Sequence, residues 1–345
     1  MLELTSSNTG VDPVVVRRLS LPATWRLLTL HSTPRHNGVR VKAKLFHQAF
    51  ERTVTWSCRE LRPDMRLGSL VDIRATLSIL DTDVQRDVEI VRLVRLQRVE
   101  PTVNLFHTVP PQWVSDQSLI SRASVLWQGL SPTMQTWFNA LFWNEPERFK
   151  GYLQAPASMA HHHSHIHGLL SHSLDCAERA NLLARWDGTV NPDVLTMATL
   201  LHDVGKAEEY EWSAWKNSWT ISDRGALLGH KLTSLEWLAA ARTLVPHGVP
   251  NELAMSLYHA ITACHAPEWV GLRSPRTPEA HYLSSVDALS GLCELTQRFS
   301  SLDGGFGRYH KAFRGGPFTT IQTSKLIVES RDQTRPHRRE NTASC

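Results

Sequence analysis

Of the 345 residues only five are cysteine, and none of Cys58, Cys176, Cys264, Cys293 and Cys345 stands in a CxxC pair. An odd, scattered set excludes a disulfide framework and a thiolate zinc cluster. Long apolar runs are also missing, since no stretch approaches the roughly 18 residues a membrane span needs. The opening MLELTSSNTG lacks the basic and then apolar segments of a secretory signal. These absences point to the cytoplasm and away from a membrane partner. Strong charge of one sign is absent overall, with a net charge of +4. Its distribution is uneven, however. Residues 1–100 hold 16 Lys+Arg against 11 Asp+Glu, residues 101–300 hold 13 against 18, and residues 301–345 hold 8 against 4. Basic ends around an acidic middle fit a polyanionic partner such as nucleic acid, and equally an ordinary solvated surface.

An apolar fraction of 41% and a charged fraction of 20% describe a globular protein, and the length suggests two domains. From Trp25 to Arg98 the pattern has a period of two. GVRVKAKLF puts Val39, Val41, Ala43 and Leu45 on one face and Arg40, Lys42 and Lys44 on the other. TWRLLTL, TVTWSC, SLVDIRATLSIL and DVEIVRLVRLQRV read as four more strands, separated by turn signals such as RHNG and RPDMRLG. Five short strands predict a small antiparallel barrel of the OB type, with a generic barrel or sandwich as the alternative.

PTVNLFHTVPPQW reads as a linker, and beyond it the apolar spacing becomes three to four, predicting an all-α domain to about residue 300 with Ser131-Pro132 as one helix start. Residues 301–345 are Gly-rich and basic, and from about Glu329 too polar to repay ordering. This predicts a partly disordered tail.

Twelve of the 18 histidines lie between residues 161 and 281, six of them in HHHSHIHGLLSH at 161–172. His172 is in helical register with Leu169 and Cys176, and His202 with Leu195 and Ala198, so both sit on predicted inward faces. Taken singly, each reads as a core histidine bonded to backbone. The adjacent pair His202-Asp203 at a helix end, followed by Gly205 and Lys206, changes the balance. Imidazole and carboxylate are ligands shared by Mn²⁺, Fe²⁺, Co²⁺ and Zn²⁺. His230 in GALLGH, His265 in ITACH and Asp287 in LSSVDALSG add one candidate ligand from each of three further helical stretches.

At these residues the chain resembles the HD superfamily of metal-dependent phosphohydrolases, whose lone His, His-Asp pair and later Asp match His172, His202 with Asp203, and Asp287. APASMAHHHSHIHGLLSHSL, LLHDVGK, GALLGH and SPRTPEA resemble blocks of the YhaM-type 3′-to-5′ exoribonucleases, which also join an OB-type domain to an HD domain. The resemblance implies the boundaries 1–20 leader, 21–100 barrel, 101–155 linker and helices, 156–300 HD domain and 301–345 tail. It implies one or two divalent ions, Mn²⁺ first and Fe²⁺, Co²⁺, Zn²⁺ or Mg²⁺ as alternatives. His172, His202, Asp203 and Asp287 would hold one ion, and His230 and His265 a second with Asp203 bridging. Asp203 and Lys206 would be the catalytic groups, with Lys206 meeting a phosphate oxygen or merely solvated.

His162 and His163 would touch substrate phosphate or form a solvated loop. Arg40, Lys42 and Lys44 would hold a single strand, with Trp25 or Trp56 as stacking surfaces, although Trp56 alternates with core positions. Two departures stand near the site: Cys264-His265-Ala266 where the family shows His-His-Gly, and His165-Ile166-His167-Gly168 where it shows Tyr-Ile-Gly-Gly. The implied activity is a metal-dependent 3′-to-5′ exonuclease on single-stranded RNA or DNA. A phosphohydrolase of nucleotides or cyclic dinucleotides, and a degenerate nucleic-acid-binding module of a mobile-element or relaxase-type complex, are the alternatives. Homo-oligomerisation stays open.

Overall fold

The computed structural model describes residues 23–48, 50–74, 87–159, 163–263 and 273–320. The leader at 1–20, His161, His162, Cys264, His265, the second half of SLVDIRATLSIL and the tail beyond 320 lie outside the described residues.

Alternation builds the first domain. Strands β1 (Trp25–Arg35), β2 (Gly38–His47) and β3 (Phe50–Cys58) form an antiparallel meander, to which β4 (Leu70–Arg74) adds along β1. The inward residues Val41, Ala43 and Leu45 of β2 are fully buried against Trp25, Leu27, Val54, Trp56, Val71, Ile90 and Leu93. Trp25 and Trp56 are thus core residues, which removes them as stacking surfaces for substrate.

The fifth predicted strand divides into β5 (Val88–Glu89) and β6 (Arg92–Arg95), giving six strands in the order β5-β3-β2-β1-β4-β6. β5 runs parallel to β3 whereas β6 runs antiparallel to β4. Between them Ile90 N–H donates to Thr55 and Val91 N–H to Arg74, both at 2.9 Å, so one segment reaches both edges of the sheet. The sheet therefore curls, OB-like, with the segment 88–95 bridging from β3 to β4.

The expected linker is part of the helical core: Leu105, Phe106 and Val109 are almost wholly buried around a 3₁₀ turn, Leu105–Thr108. α1 (Gln117–Gln128), α2 (Pro132–Phe142) and α3 (Pro146–Gln154) follow, with Asp116 capping α1 and Pro132 opening α2. Then come α4 (Gly168–Leu183), α5 (Pro192–Leu201), the single turn α6 (Lys206–Glu209), α7 (Asp223–Arg242), α8 (Asn251–Thr262) and α9 (Pro278–Phe299). One feature breaks the expected all-helical run, a hairpin of β7 (Tyr210–Ser213) and β8 (Ser218–Ile221). Its Glu-Trp-Ser and Ser-Trp-Thr-Ile stretches alternate with period two, the signal that local helical context had hidden. No helix among the described residues is long and apolar enough to cross a membrane.

Candidate metal centre

Four elements deliver the histidines and aspartates of the sequence pattern to one place. On α4, His172 lies on the stripe of Leu169, Cys176 and Ala180 and is fully buried. α5 ends at Leu201, so His202 is its C-cap and Asp203 lies in the turn beyond. The helix ends before Gly205 is reached, which assigns that glycine a different role from breaking it. A Cβ at Gly205 would stand 2.2 Å from the His230 carbonyl oxygen, so only glycine lets α7 approach the His-Asp turn. Within α7, Gly229 at φ 70° and ψ 172° kinks the backbone at the residue before His230.

Three of the five distances among the ring nitrogens and carboxylate oxygens of His172, His202, Asp203 and Asp287 match the spacing of ligands that share one ion, and two are wider. His172 Nε2 stands 3.3 Å from His202 Nε2, 3.1 Å from Asp287 Oδ1 and 3.8 Å from Asp203 Oδ2. His202 Nε2 stands 3.4 Å from Asp203 Oδ2 and 3.8 Å from Asp287 Oδ1. Ligand atoms bonded to one ion at about 2.1 Å sit roughly 3.0 to 3.4 Å apart in octahedral or tetrahedral arrangement. The nitrogens are prepared for such a role. His202 Nδ1 lies 2.9 Å from the Thr199 carbonyl, which can only accept, so the ring proton sits on Nδ1 and Nε2 presents a lone pair. His172 Nδ1 lies 3.2 Å from Ser290 Oγ.

Cys176 also borders this cluster, its Sγ 3.8 Å from Nε2 and 3.9 Å from Nδ1 of His172. A sulfur equidistant from both nitrogens lies beside the ring and not along the Nε2 lone pair. Burial also pushes its thiol up, away from the thiolate that binds metals. The His and carboxylate set is the better description.

Asp203 uses its two oxygens separately. Oδ2 faces His172 and His202 and accepts from Lys206 Nζ at 2.6 Å, while Oδ1 lies 3.2 Å from His230 Nε2. Burial alone would raise the Asp203 carboxyl, but His202 and Lys206 offset it and hold the group well below the usual range. Burial likewise opposes the charged Lys206, which Asp203 nevertheless keeps raised. Lys206 is therefore engaged on Asp203 and nearly buried, instead of projecting freely toward a phosphate.

His230 is held from both sides, with Glu209 Oε2 2.6 Å from its Nδ1. Against the cost of burial, the bonds to Asp203 and Glu209 push its pKa up to about 9. Asp287, opposed by burial but bonded to His172, is held low. Its side chain is 46% exposed against 0 to 8% for His172, His202 and Asp203, so the centre opens to solvent over Asp287.

Of the other expected site residues, His163 is buried, with its ring 5.4 Å from that of His172. Arg40, Lys42 and Lys44 lie on the barrel, each paired with an acid: Glu89 at 2.6 Å, Asp87 at 2.7 Å and Glu51 at 2.6 Å. Glu209 and Ser290 were not foreseen. Each stands three residues beyond a recognised one, Lys206 and Asp287, a spacing that puts both on the same helical face.

Residues 169–292 match the family model described as HD domain. This segment is an HD domain. The HD match spans the helices that carry His172, His202, Asp203, His230 and Asp287. Relatives include the 3′-5′ exoribonuclease YhaM of Bacillus licheniformis, 29% identical over 168 residues, covering 45% of this chain and 52% of the relative. YhaM of Bacillus subtilis is 30% identical over 142 residues, 40% of this chain and 43% of the relative. YhaM of Listeria innocua is 30% identical over 144 residues, 41% and 44% respectively. The chain thus matches about half the length of these relatives, and no solved structure matches it.

Proposed function

We propose that this protein is a metal-dependent 3′-to-5′ exonuclease that hydrolyses single-stranded RNA or DNA at the HD centre. The observation that carries the reading is the convergence of His172, His202, Asp203 and Asp287 at 3.1 to 3.8 Å, with a lone pair of His202 aimed into the group. The relatives bear the name 3′-5′ exoribonuclease, and an OB-like sheet preceding the HD domain suits a single-strand substrate.

The donor set of imidazoles and carboxylates fits a divalent ion, Mn²⁺ first. Such an ion, when bound, lowers the pKa of a coordinated water toward about 7 and neutralises charge on phosphate oxygens. The four residues named would hold it. His230, with Asp203 bridging, would serve a second ion, and His265 completes that set in this reading. Glu209 fixes the His230 ring so that Nε2 faces Asp203. Lys206 keeps Asp203 ionised and takes up its charge from below the centre. Entry over the exposed carboxylate of Asp287 brings the strand's terminal phosphodiester past His163, which abuts His172.

The test is an end-labelled single strand, offered as matched RNA and DNA, with Mn²⁺, Mg²⁺ or chelator. Stepwise release of 5′-mononucleotides that chelator stops is the expected result. An inert strand alongside a cleaved free nucleotide or cyclic dinucleotide would transfer the same centre to a small-molecule substrate.

A further inference from the structure

Residues 305–320, GFGRYHKAFRGGPFTT, hold Arg308, Lys311 and Arg314 and no aspartate or glutamate. The expected frayed tail begins with a built element. β9 (Gly305–Phe306) pairs with β10 (Phe318–Thr319), and Gly307 N–H donates to Pro317 at 2.8 Å. His310 bridges Gly315, and a 3₁₀ turn, Lys311–Phe313, forms the tip.

The clasp is tied to the end of α9. Arg308 N–H donates to the Phe299 carbonyl at 2.7 Å, and the His310 ring lies 4.7 Å from the Phe299 ring. Asp287 is on the same helix, 12 residues before Phe299, which at 1.5 Å per residue is about 18 Å. A rigid rod therefore connects the clasp to the metal centre.

Its surface is aromatic and cationic together. Phe306 and Phe318 face each other across the two strands, ring centroids 5.0 Å apart, yet remain 77% and 62% exposed, and Tyr309 is 72% exposed. Arg308, Lys311 and Arg314 are exposed, and among the described residues none has a carboxylate within ion-pair distance. The barrel differs, because Arg40, Lys42 and Lys44 already have acidic partners. Cations without counter-charges, interleaved with exposed rings, match a chain that offers phosphates and stackable bases alternately. A second copy docking through this face by two-fold symmetry would set the three cations against their own kind.

We infer that the clasp at 305–320, anchored on α9, binds single-stranded nucleic acid. The inference rests on the proposed nuclease reading and adds a grip outside the HD domain.

The experiment compares the full-length protein with Arg308→Gln/Lys311→Gln/Arg314→Gln and with Tyr309→Ala. Binding of a labelled single strand of about 15 nucleotides is followed in chelator across salt concentrations. Three phosphate contacts contribute a slope of about 2 in log affinity against log salt, so between about 50 and 200 mM the parent loses roughly twentyfold more affinity than the triple variant. Tyr309→Ala is expected to weaken binding at every salt concentration and leave the slope unchanged. Metal-dependent hydrolysis of bis(4-nitrophenyl) phosphate by both variants should equal the parent's, which reports the centre separately.

Parent binding and degradation with unchanged affinity and slope in the triple variant would overturn the clasp and spare the nuclease reading. A parent that neither binds nor degrades any strand would overturn both. A triple variant that changes sedimentation while holding its affinity would make the face a protein interface and also overturn the inference.

Discussion

His172 Nε2 and His202 Nε2 face each other at 3.3 Å from two different helices, and the His202 nitrogen is kept free of its proton by the Thr199 carbonyl on the far side of the ring. Two imidazoles aimed at one point have little reason to meet in an ordinary core, where each would seek a donor or acceptor of its own. With the carboxylates of Asp203 and Asp287 beside them, the point they share has the chemistry of a cation site.

Removing Asp203 tests both chemistry and fold, and the two must be separated. Asp203→Ala leaves the Lys206 ammonium, 11% exposed, without its partner. Breaking such a buried pair costs about 3 to 5 kcal/mol. That variant is expected to be inactive and to melt well below the parent. Asp203→Asn/Lys206→Met removes both charges, and is expected to melt near the parent while binding less metal by elemental analysis. If this double variant kept metal-dependent turnover, Asp203 would not be a ligand.

Metal uptake is expected to release protons. His230 is raised to about 9 and His202 is raised as well, the burial of each being outweighed by Asp203. His230 carries a proton at neutral pH in the metal-free protein, and an ion must displace it. A histidine with a raised folded pKa stabilises fully below its ordinary value near 6.5 and loses that stabilisation as pH rises through the folded value. For His230 the window is therefore about 6.5 to 9. Metal-free protein should lose stability across it, while metal affinity and the metal-induced rise in melting temperature should grow. Calorimetric titration in buffers of different ionisation enthalpy counts the protons. Glu209→Gln, which removes the carboxylate on His230 Nδ1, should lower that count; an unchanged count would detach Glu209 from the site.

Arg26 joins the two domains. It is 1% exposed, donating to the Gly68 carbonyl at 2.8 Å and to Thr108 Oγ1 at 2.6 Å, with its guanidinium 5.3 Å from the rings of both Trp113 and Phe149. Burial lowers its pKa to about 9. Arg26→Ala strands two acceptors and opens a cavity, an expected loss of about 3 to 5 kcal/mol. Thr108→Val removes the bond accepted from Arg26 and the one donated to the Leu105 carbonyl, and should cost about 2 to 3 kcal/mol. Urea denaturation measures both, and a small loss for Arg26→Ala would mean that the packing of the 3₁₀ turn alone holds the barrel in place.

Much of this architecture was legible in the sequence because its causes are local. Alternation in GVRVKAKLF reports which side of β2 meets the core, whatever sits beside it. The three-to-four spacing around His172 reports the buried stripe of α4 for the same reason. The adjacency of His202 and Asp203 also needs no fold to be seen.

What tertiary structure alone decided depends on groups distant in sequence. Strand 88–95 reaches both edges of the sheet through a change of partner at Ile90 and Val91, which periodicity cannot encode. Arg40 meets Glu89, 49 residues away, because of cross-strand placement, and a face that reads as basic becomes a row of ion pairs. Glu209 becomes the partner of His230 only after Gly205 lets α7 approach the His-Asp turn. The residue types for a metal centre are written along the chain, but their convergence follows from how closely the helix backbones can approach.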